Sequence, residues 1–266
     1  MHRGFDSRQS FTAGEDVGTF QVEWTHRLLT TRDALSPSNP VLADLLPHED
    51  GPVRMVAILD QGLVHAHPEL PTQVQLWAES NPKSVRLVGE TVVVPGGEQA
   101  KNDFGVFNTT AKAISERGIC RKSFVLAAGG GAVLDAVGYA AASAHRGVRL
   151  LRLPTTTLAQ ADAGIGVKNG INAYGKKNFL GAFSPPWAVV NDTNLLTSLS
   201  DRDWRSGLSE SVKVALVKDA DFFEELGRLA TRTRQRDLDA MEMIVHKTAC
   251  LHMKHIVAGN DPFELT

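Results

Sequence analysis

Residues 123–157 read SFVLAAGGGAVLDAVGYAAASAHRGVRLLRLPTTT. Ser123 to Ala128 is a short apolar run of the kind a buried strand needs. Gly129-Gly130-Gly131 follows it directly. Ala132 to His145 is rich in small residues, which lets a helix pack close to a sheet. Val148 to Leu153 is a second apolar run, closed by Pro154. A strand, a glycine turn, a helix and a strand in that order predict neighbouring strands of a mainly parallel sheet.

The same alternation extends upstream. Phe20 to Trp24 alternates apolar and polar residues and reads as a strand. Val53 to Leu59 is a compact apolar run ending at Asp60-Gln61-Gly62. His67 to Ser80 reads as a helix opened by Pro68. Val85 to Val94 reads as one strand ending at Pro95-Gly96-Gly97. Asn102 to Arg117 reads as a helix stopped by Gly118. Downstream of about Leu195 only helical patterns remain, over Asp203–Lys218, Ala220–Ala230 and Asp237–His255. The fold class expected is therefore α/β: a doubly wound, Rossmann-like parallel sheet domain, then an incomplete all-helical domain. The domains are expected at 1–18 (a flexible leader), 19–184 (the sheet) and 185–266 (the helices).

Composition sets outer bounds. The chain has 266 residues, 42% hydrophobic, enough for a sizeable core. A formal net charge of -2 argues against nucleic acid or an anionic membrane as partner. Cys120 and Cys250 match no zinc spacing, and two distant cysteines fit a reduced, cytoplasmic setting. No apolar run of about 18 residues is present.

Several residues have chemistry worth weighing. Glycines between a strand and a helix let backbone approach a pyrophosphate at a helix N-terminus, although 129–131 also fits a plain tight turn. Asp60, at a strand end, suits ribose hydroxyls or a helix cap. Glu98 and Lys101, just past Pro95-Gly96-Gly97, read in isolation as a solvated pair. Thr155 and Thr156 suit a ligand or a cap. Asp162, Lys168, Lys177 and Asn178 fall in a glycine-rich, loop-like stretch whose lysines favour an anion such as phosphate. Glu210 and Lys213 share one face of a largely apolar helix, which favours a buried site over an exposed ion pair. His246, His252 and His255 are helical; His252 and His255 share a face and could ligate metal, although each reads first as structural or exposed.

With these residues in place, Asp60 to Glu264 resembles the sugar phosphate cyclases, the 3-dehydroquinate synthase superfamily. The resemblance is carried by residues 129–147 (GGGAVLDAVGYAAASAHRG), 148–172 (VRLLRLPTTTLAQADAGIGVKNGIN), 175–183 (GKKNFLGAF) and 207–223 (GLSESVKVALVKDADFF). The stretch HIVAGNDPFEL at 255–265 looks closer to 2-epi-5-epi-valiolone synthases than to shikimate-pathway enzymes.

The resemblance implies a cycle in which bound NAD oxidises a ring hydroxyl of a sugar phosphate. Phosphate is then eliminated, the hydride is returned, and the opened ring closes into a carbocycle. It implies NAD binding by Asp60, Glu98, Lys101, Gly130, Gly131, Asp135, Thr155 and Thr156. Substrate binding and catalysis fall to Arg146, Asp162, Lys168, Lys177, Asn178 and Lys213. Glu210 is implied as a zinc ligand. The family's two zinc histidines lie further along than Thr266, and His252 and His255 precede them. The expectation is thus a single metal ligand and a truncated chain that is inactive or weakly active by itself. Asn169 stands where a Thr is common in the quinate enzymes, and Ser206 where an Asn is frequent. A homodimer is implied by family habit. A non-catalytic NAD- or sugar-phosphate-binding remnant is one alternative. A metal-dependent polyol dehydrogenase is another, but that group expects His four residues after an Asp, and Asp192 is followed at that spacing by Leu196.

Overall fold

The computed structural model describes Gly18, residues 22–47 and residues 49–258. The expected leader lies almost wholly outside the described residues, as do Phe20, Gln21 and the tail from Gly259. In chain order the elements begin β1 (Leu28–Thr31), α1 (Val41–Asp44), β2 (Val53–Asp60), α2 (Gln61–Ala66), α3 (Leu70–Ser80), β3 (Val85–Leu87) and β4 (Val92–Val94). Then come α4 (Gly105–Glu116), β5 (Phe124–Gly129), α5 (Gly131–Ser143), β6 (Arg149–Pro154), β7 (Lys168–Ala173), β8 (Lys176–Phe183) and β9 (Ala188–Asp192). Four helices follow: α6 (Asp201–Ser206), α7 (Leu208–Lys218), α8 (Ala220–Arg234) and α9 (Leu238–Ala258).

Seven strands form one parallel sheet, ordered β1-β9-β6-β5-β2-β3 with β4 also paired to β2. Alternate residues of each strand feed opposite faces. Met55, Ala57 and Leu59 of β2 join Leu126, Leu153, Leu70, Val74 and Trp77 under α2 and α3. Val56 and Ile58 join Val125, Ala127, Val133 and Ile114 under α4 and α5. All six residues of β5 are buried, as a central parallel strand covered on both faces requires. Each large aliphatic side chain fully buried this way contributes roughly 1.5–3 kcal/mol.

Four expectations about elements are corrected. Residues 22–24 are not a strand; β1 begins at Leu28. Val85–Val94 is two strands, parted where Gly89 takes a φ of +72°. The lysine- and glycine-rich stretch is not a loop but an antiparallel hairpin, β7 with β8. Asp203–Lys218 is two helices, broken at Gly207. The sheet also takes in β9, a strand the sequence reading lacked. The sheet's last strand therefore lies past residue 184, where the sequence placed the change to helices, and helices alone run from Asp201.

The helical part is tied back onto the sheet. Thr157, just past β6, donates its hydroxyl to the carbonyl of buried Trp204 at 3.0 Å. The buried stripe of α9 includes Val245, Ala249, His252 and Ile256, at helical spacing. Ala249 and Ile256 pack on Ile165, Val167 and Val189. That contact carries one histidine to the carboxyl edge of the sheet.

Candidate active site at the carboxyl edge of the sheet

The chain builds outward from β2 in two directions, β3 and β4 on one side and β5, β6 and β9 on the other. The crevice outside the strand ends at such a reversal is where open α/β sheets take ligands. Asp60 closes β2 at this point and the Gly129–Gly131 turn closes β5. The Asp60 carboxylate caps α2, accepting from Gly62 N at 2.7 Å and Leu63 N at 3.4 Å. Gly130 is the residue before α5, and a side chain there would touch Thr156. Thr156 Oγ1 accepts from Ala159 N at 3.1 Å, and Thr155 N donates to the Gly129 carbonyl at 3.0 Å. Gly131 is needed for close approach: a Cβ there would stand 2.8 Å from the Ala163 side chain.

Glu98 is exposed, but Lys101 is buried at 6% exposure, so the pair is not the solvated one expected from sequence. Lys101 Nζ instead donates to Asp135 Oδ2 at 2.6 Å. Burial pushes the Asp135 carboxyl above its ordinary value, and the Lys101 cation opposes the shift. A cavity of about 280 Å³ opens beside Asp135 and is lined by Lys168, Asn169, Asn178 and Phe179 as well. Asn178, at a φ of +49°, donates its backbone N–H to Asn172 Oδ1 at 2.8 Å, and Asn172 donates to Asn102 at 2.9 Å. The hairpin is thereby fastened to the turn that holds Lys101. Lys177 is exposed on the same hairpin.

Arg146 does not join this group. It is exposed in the turn after α5, at the end of the sheet opposite the crevice.

Three elements converge beside the crevice. Asp162 lies in a π-helical turn, Ala159–Ala163, a local form that recurs at functional sites. Glu210 lies in the first turn of α7, buried at 8% exposure. Gly207 allows that placement, because any side chain there would collide with the backbone of Thr157 and Leu158. His252 comes from α9, buried at 9% exposure, with Nδ1 3.3 Å from Asp162 Oδ1. One donor atom from each of the three residues lies within 4.8 Å of the other two. Lys213 Nζ is 2.6 Å from Glu210 Oε1. Glu210, the metal donor expected from the resemblance, thus has Asp162 and His252 beside it. Two carboxylates and an imidazole are zinc-type donors, and three with an open position suit a catalytic ion. The residues present therefore fit a divalent metal.

Sequence reading missed Arg152. Its guanidinium is fully buried, donating to the carbonyls of Gly164 at 2.9 Å and Gly166 at 2.7 Å and to Asn169 Oδ1 at 2.6 Å. Burial pulls it down to about 10, which leaves it charged at neutral pH. An arginine inside the apolar run RLLRLP was the available signal.

A doubly wound sheet with a glycine turn at its reversal point and metal-type donors beside it defines a class of nucleotide- and metal-using proteins. The comparisons narrow it. The family model described as 3-dehydroquinate synthase N-terminal matches residues 91–206. The chloroplastic 3-dehydroquinate synthase of Solanum lycopersicum is 47% identical over 192 residues, 72% of this chain and 42% of that protein. The 3-dehydroquinate synthase of Halorhodospira halophila is 35% identical over 213 residues, 77% of this chain and 59% of that protein. Among solved structures, ValA of Streptomyces hygroscopicus, a 2-epi-5-epi-valiolone synthase with NAD+ and Zn2+ bound, superposes with a TM-score of 0.79 at 29% identity. The match covers 93% of this chain and 65% of that one. A 2-deoxy-scyllo-inosose synthase complexed with carbaglucose-6-phosphate, NAD+ and Co2+ gives 0.70 at 25% identity, over 90% of this chain and 62% of that one. The chain belongs to the sugar phosphate cyclase superfamily, that of 3-dehydroquinate synthase. It spans about half the length of the curated relatives it matches.

Proposed function

We propose that the chain carries the NAD-binding and metal-binding parts of a sugar phosphate cyclase. Such an enzyme converts a heptulose 7-phosphate to a carbocycle with loss of phosphate. The observation that carries this reading is the placement of metal-type donors, Lys101–Asp135 and the cationic hairpin along one edge of the sheet. NAD would accept a hydride from the ring carbon that bears the hydroxyl being oxidised and later return it, and a zinc ion would acidify that hydroxyl. The substrate is 3-deoxy-heptulosonate 7-phosphate or sedoheptulose 7-phosphate.

The chain's own residues have distinct tasks. Asp60 accepts from ribose hydroxyls. Gly130 and Gly131 let the pyrophosphate reach the N-terminus of α5. Glu98, Lys101, Asp135, Thr155 and Thr156 hold the rest of the cofactor. Lys168, Lys177, Asn178 and Lys213 bind the sugar phosphate, and Asp162 orients its hydroxyls beside Glu210. Arg146, at the far end of α5, serves phosphate binding only across a homodimer. The sheet is the NAD unit, the helices from α6 onward supply metal and substrate groups, and the setting is cytoplasmic. Among the described residues no helix is long and apolar enough to cross a membrane.

Asp192 speaks against the dehydrogenase alternative. Its carboxylate is taken up by the backbone N–H groups of Ala34 at 2.7 Å, Asp33 at 3.1 Å and Asn194 at 3.1 Å. It serves as a loop and turn cap.

The test is inorganic phosphate release from each of the two heptulose 7-phosphates, with NAD+ and Zn2+ supplied. Release from one of them, dependent on NAD+, is expected. Bound NAD+ without release supports a binding protein, and net NADH from a polyol supports a dehydrogenase.

A further inference from the structure

We infer that the cavity at the amino edge of the sheet, where β6 and β9 begin, is a binding site for a small organic anion, a phosphate or carboxylate carried on a flat ring. The site is separate from the crevice: the length of β6 places Arg149 about 16 Å from Pro154 at the other edge. It goes beyond the cyclase reading and does not depend on it.

Four observations carry it. The first is space. The cavity holds about 450 Å³, in the range of small-molecule sites, and Trp24, Arg27, Arg149, Pro185, Pro186 and Trp187 line it. The second is charge. Glu23 is the one acidic residue of the lining; it is exposed, and among the described residues it pairs with neither arginine. Arg27 Nη1 donates to the Trp187 carbonyl at 3.2 Å, and Arg149 has no hydrogen bond or ion pair among the described residues. Asp50, on the far side of Arg149, is taken by Lys122 at 2.8 Å. Two guanidiniums in one cavity repel each other, and an oxyanion between them removes that repulsion and accepts their paired N–H groups. The third is preorganisation. Arg27 lies 4.7 Å from the centre of the Trp187 ring, and Arg149 lies 4.8 Å from it and 5.5 Å from that of Phe124. Trp187 is itself fixed, its indole N–H donating to the Leu45 carbonyl at 2.7 Å and its ring set edge-on to Phe124. Stacking thus holds the guanidiniums while leaving N–H groups for a ligand. The fourth is the Trp24 ring. It is 58% exposed and makes no ring or cation contact among the described residues. An open indole face beside two prolines suits a flat ring.

The experiment is titration of the full chain with phenyl phosphate, benzoate and inorganic phosphate, read by tryptophan fluorescence and by calorimetry. Trp24 and Trp187 line the cavity, whereas Trp77 and Trp204 are buried elsewhere, so a change in emission reports this site. Phenyl phosphate or benzoate should bind saturably at one equivalent, and more tightly than inorganic phosphate. Arg149→Met should weaken that binding at least tenfold. Trp24→Ala should remove the advantage of the ring-bearing anions over inorganic phosphate. Lys168→Ala, in the hairpin at the crevice, should leave the affinity unchanged, as should saturation with NAD+. Circular dichroism and thermal unfolding identify any variant that fails to fold, and Arg27→Met is the second variant for that case. Wild-type affinity in folded Arg149→Met or Arg27→Met overturns the inference. Loss of binding in Lys168→Ala does the same, by moving the anion to the crevice, and so does the absence of saturable binding to the wild-type chain.

Discussion

Lys101 and Asp135 show how single residues tune this crevice. Both are largely withdrawn from water, and the 2.6 Å contact offsets part of what it costs to bury them. Asp135 is held above the usual carboxylate value by burial, with Lys101 pulling it down. A carboxyl with a raised folded value holds its proton more firmly when folded. Its contribution to stability is complete below the unfolded value and is lost as pH rises through the folded one. Lys101→Met removes the opposing cation, so the Asp135 value should rise further. The variant's loss of stability in urea should then be larger at pH 7 than at pH 4; equal losses at both would contradict this. Asp60 offers a separation of roles. Asp60→Ala should cost about 1 kcal/mol through the lost cap. Asp60→Asn keeps a capping oxygen, so stability should hold while NAD+ affinity, read by calorimetry, falls. An Asn variant that binds NAD+ normally would leave Asp60 a cap and nothing more.

At the scale of elements, Arg152 locks the segment that links the π-helical turn to β7. Three carbonyl-type acceptors, on Gly164, Gly166 and Asn169, depend on one buried guanidinium. Arg152→Met should cost about 3 kcal/mol in urea unfolding, since buried acceptors are left unsatisfied. A cost under about 1 kcal/mol would mean that water replaces the guanidinium. The elements that could be read from sequence are those whose cause is local. β2, β5 and β6 are apolar runs with glycine or proline at their ends, and α5 begins at a glycine turn. β7 and β8 escaped because their Lys, Asn and Gly composition resembles a loop, and only cross-strand pairing makes them strands. β9 is five residues long and follows Pro185-Pro186-Trp187, too short a run to carry a period. The site was legible where a residue sits beside a turn or in a motif, as Asp60, Gly130, Thr155 and Glu210 do. His252 was legible only as one of two histidines on a helix face, because its surroundings come from elements distant in sequence, and Arg152 was not legible because its acceptors, on Gly164, Gly166 and Asn169, are brought to it only by the fold of the turn that follows β6.

Across the whole molecule, one edge of a parallel sheet gathers groups suited to a dinucleotide, an anion and a divalent cation. The helices contribute by pressing α7 and α9 against the Asp162 turn, a contact that Gly207 permits. Gly207→Val should therefore push α7 away and reduce metal affinity, read by cobalt titration, more than it reduces NAD+ affinity. Equal loss of both would indicate general unfolding. The central claim is that this edge performs NAD-linked elimination on a sugar phosphate. The most direct test is phosphate release from 3-deoxy-heptulosonate 7-phosphate and from sedoheptulose 7-phosphate, with NAD+ and Zn2+ present. Release from one of them, lost when NAD+ is omitted and lost again in Glu210→Ala, is the predicted result. A folded chain that binds NAD+ and releases phosphate from neither would contradict the claim.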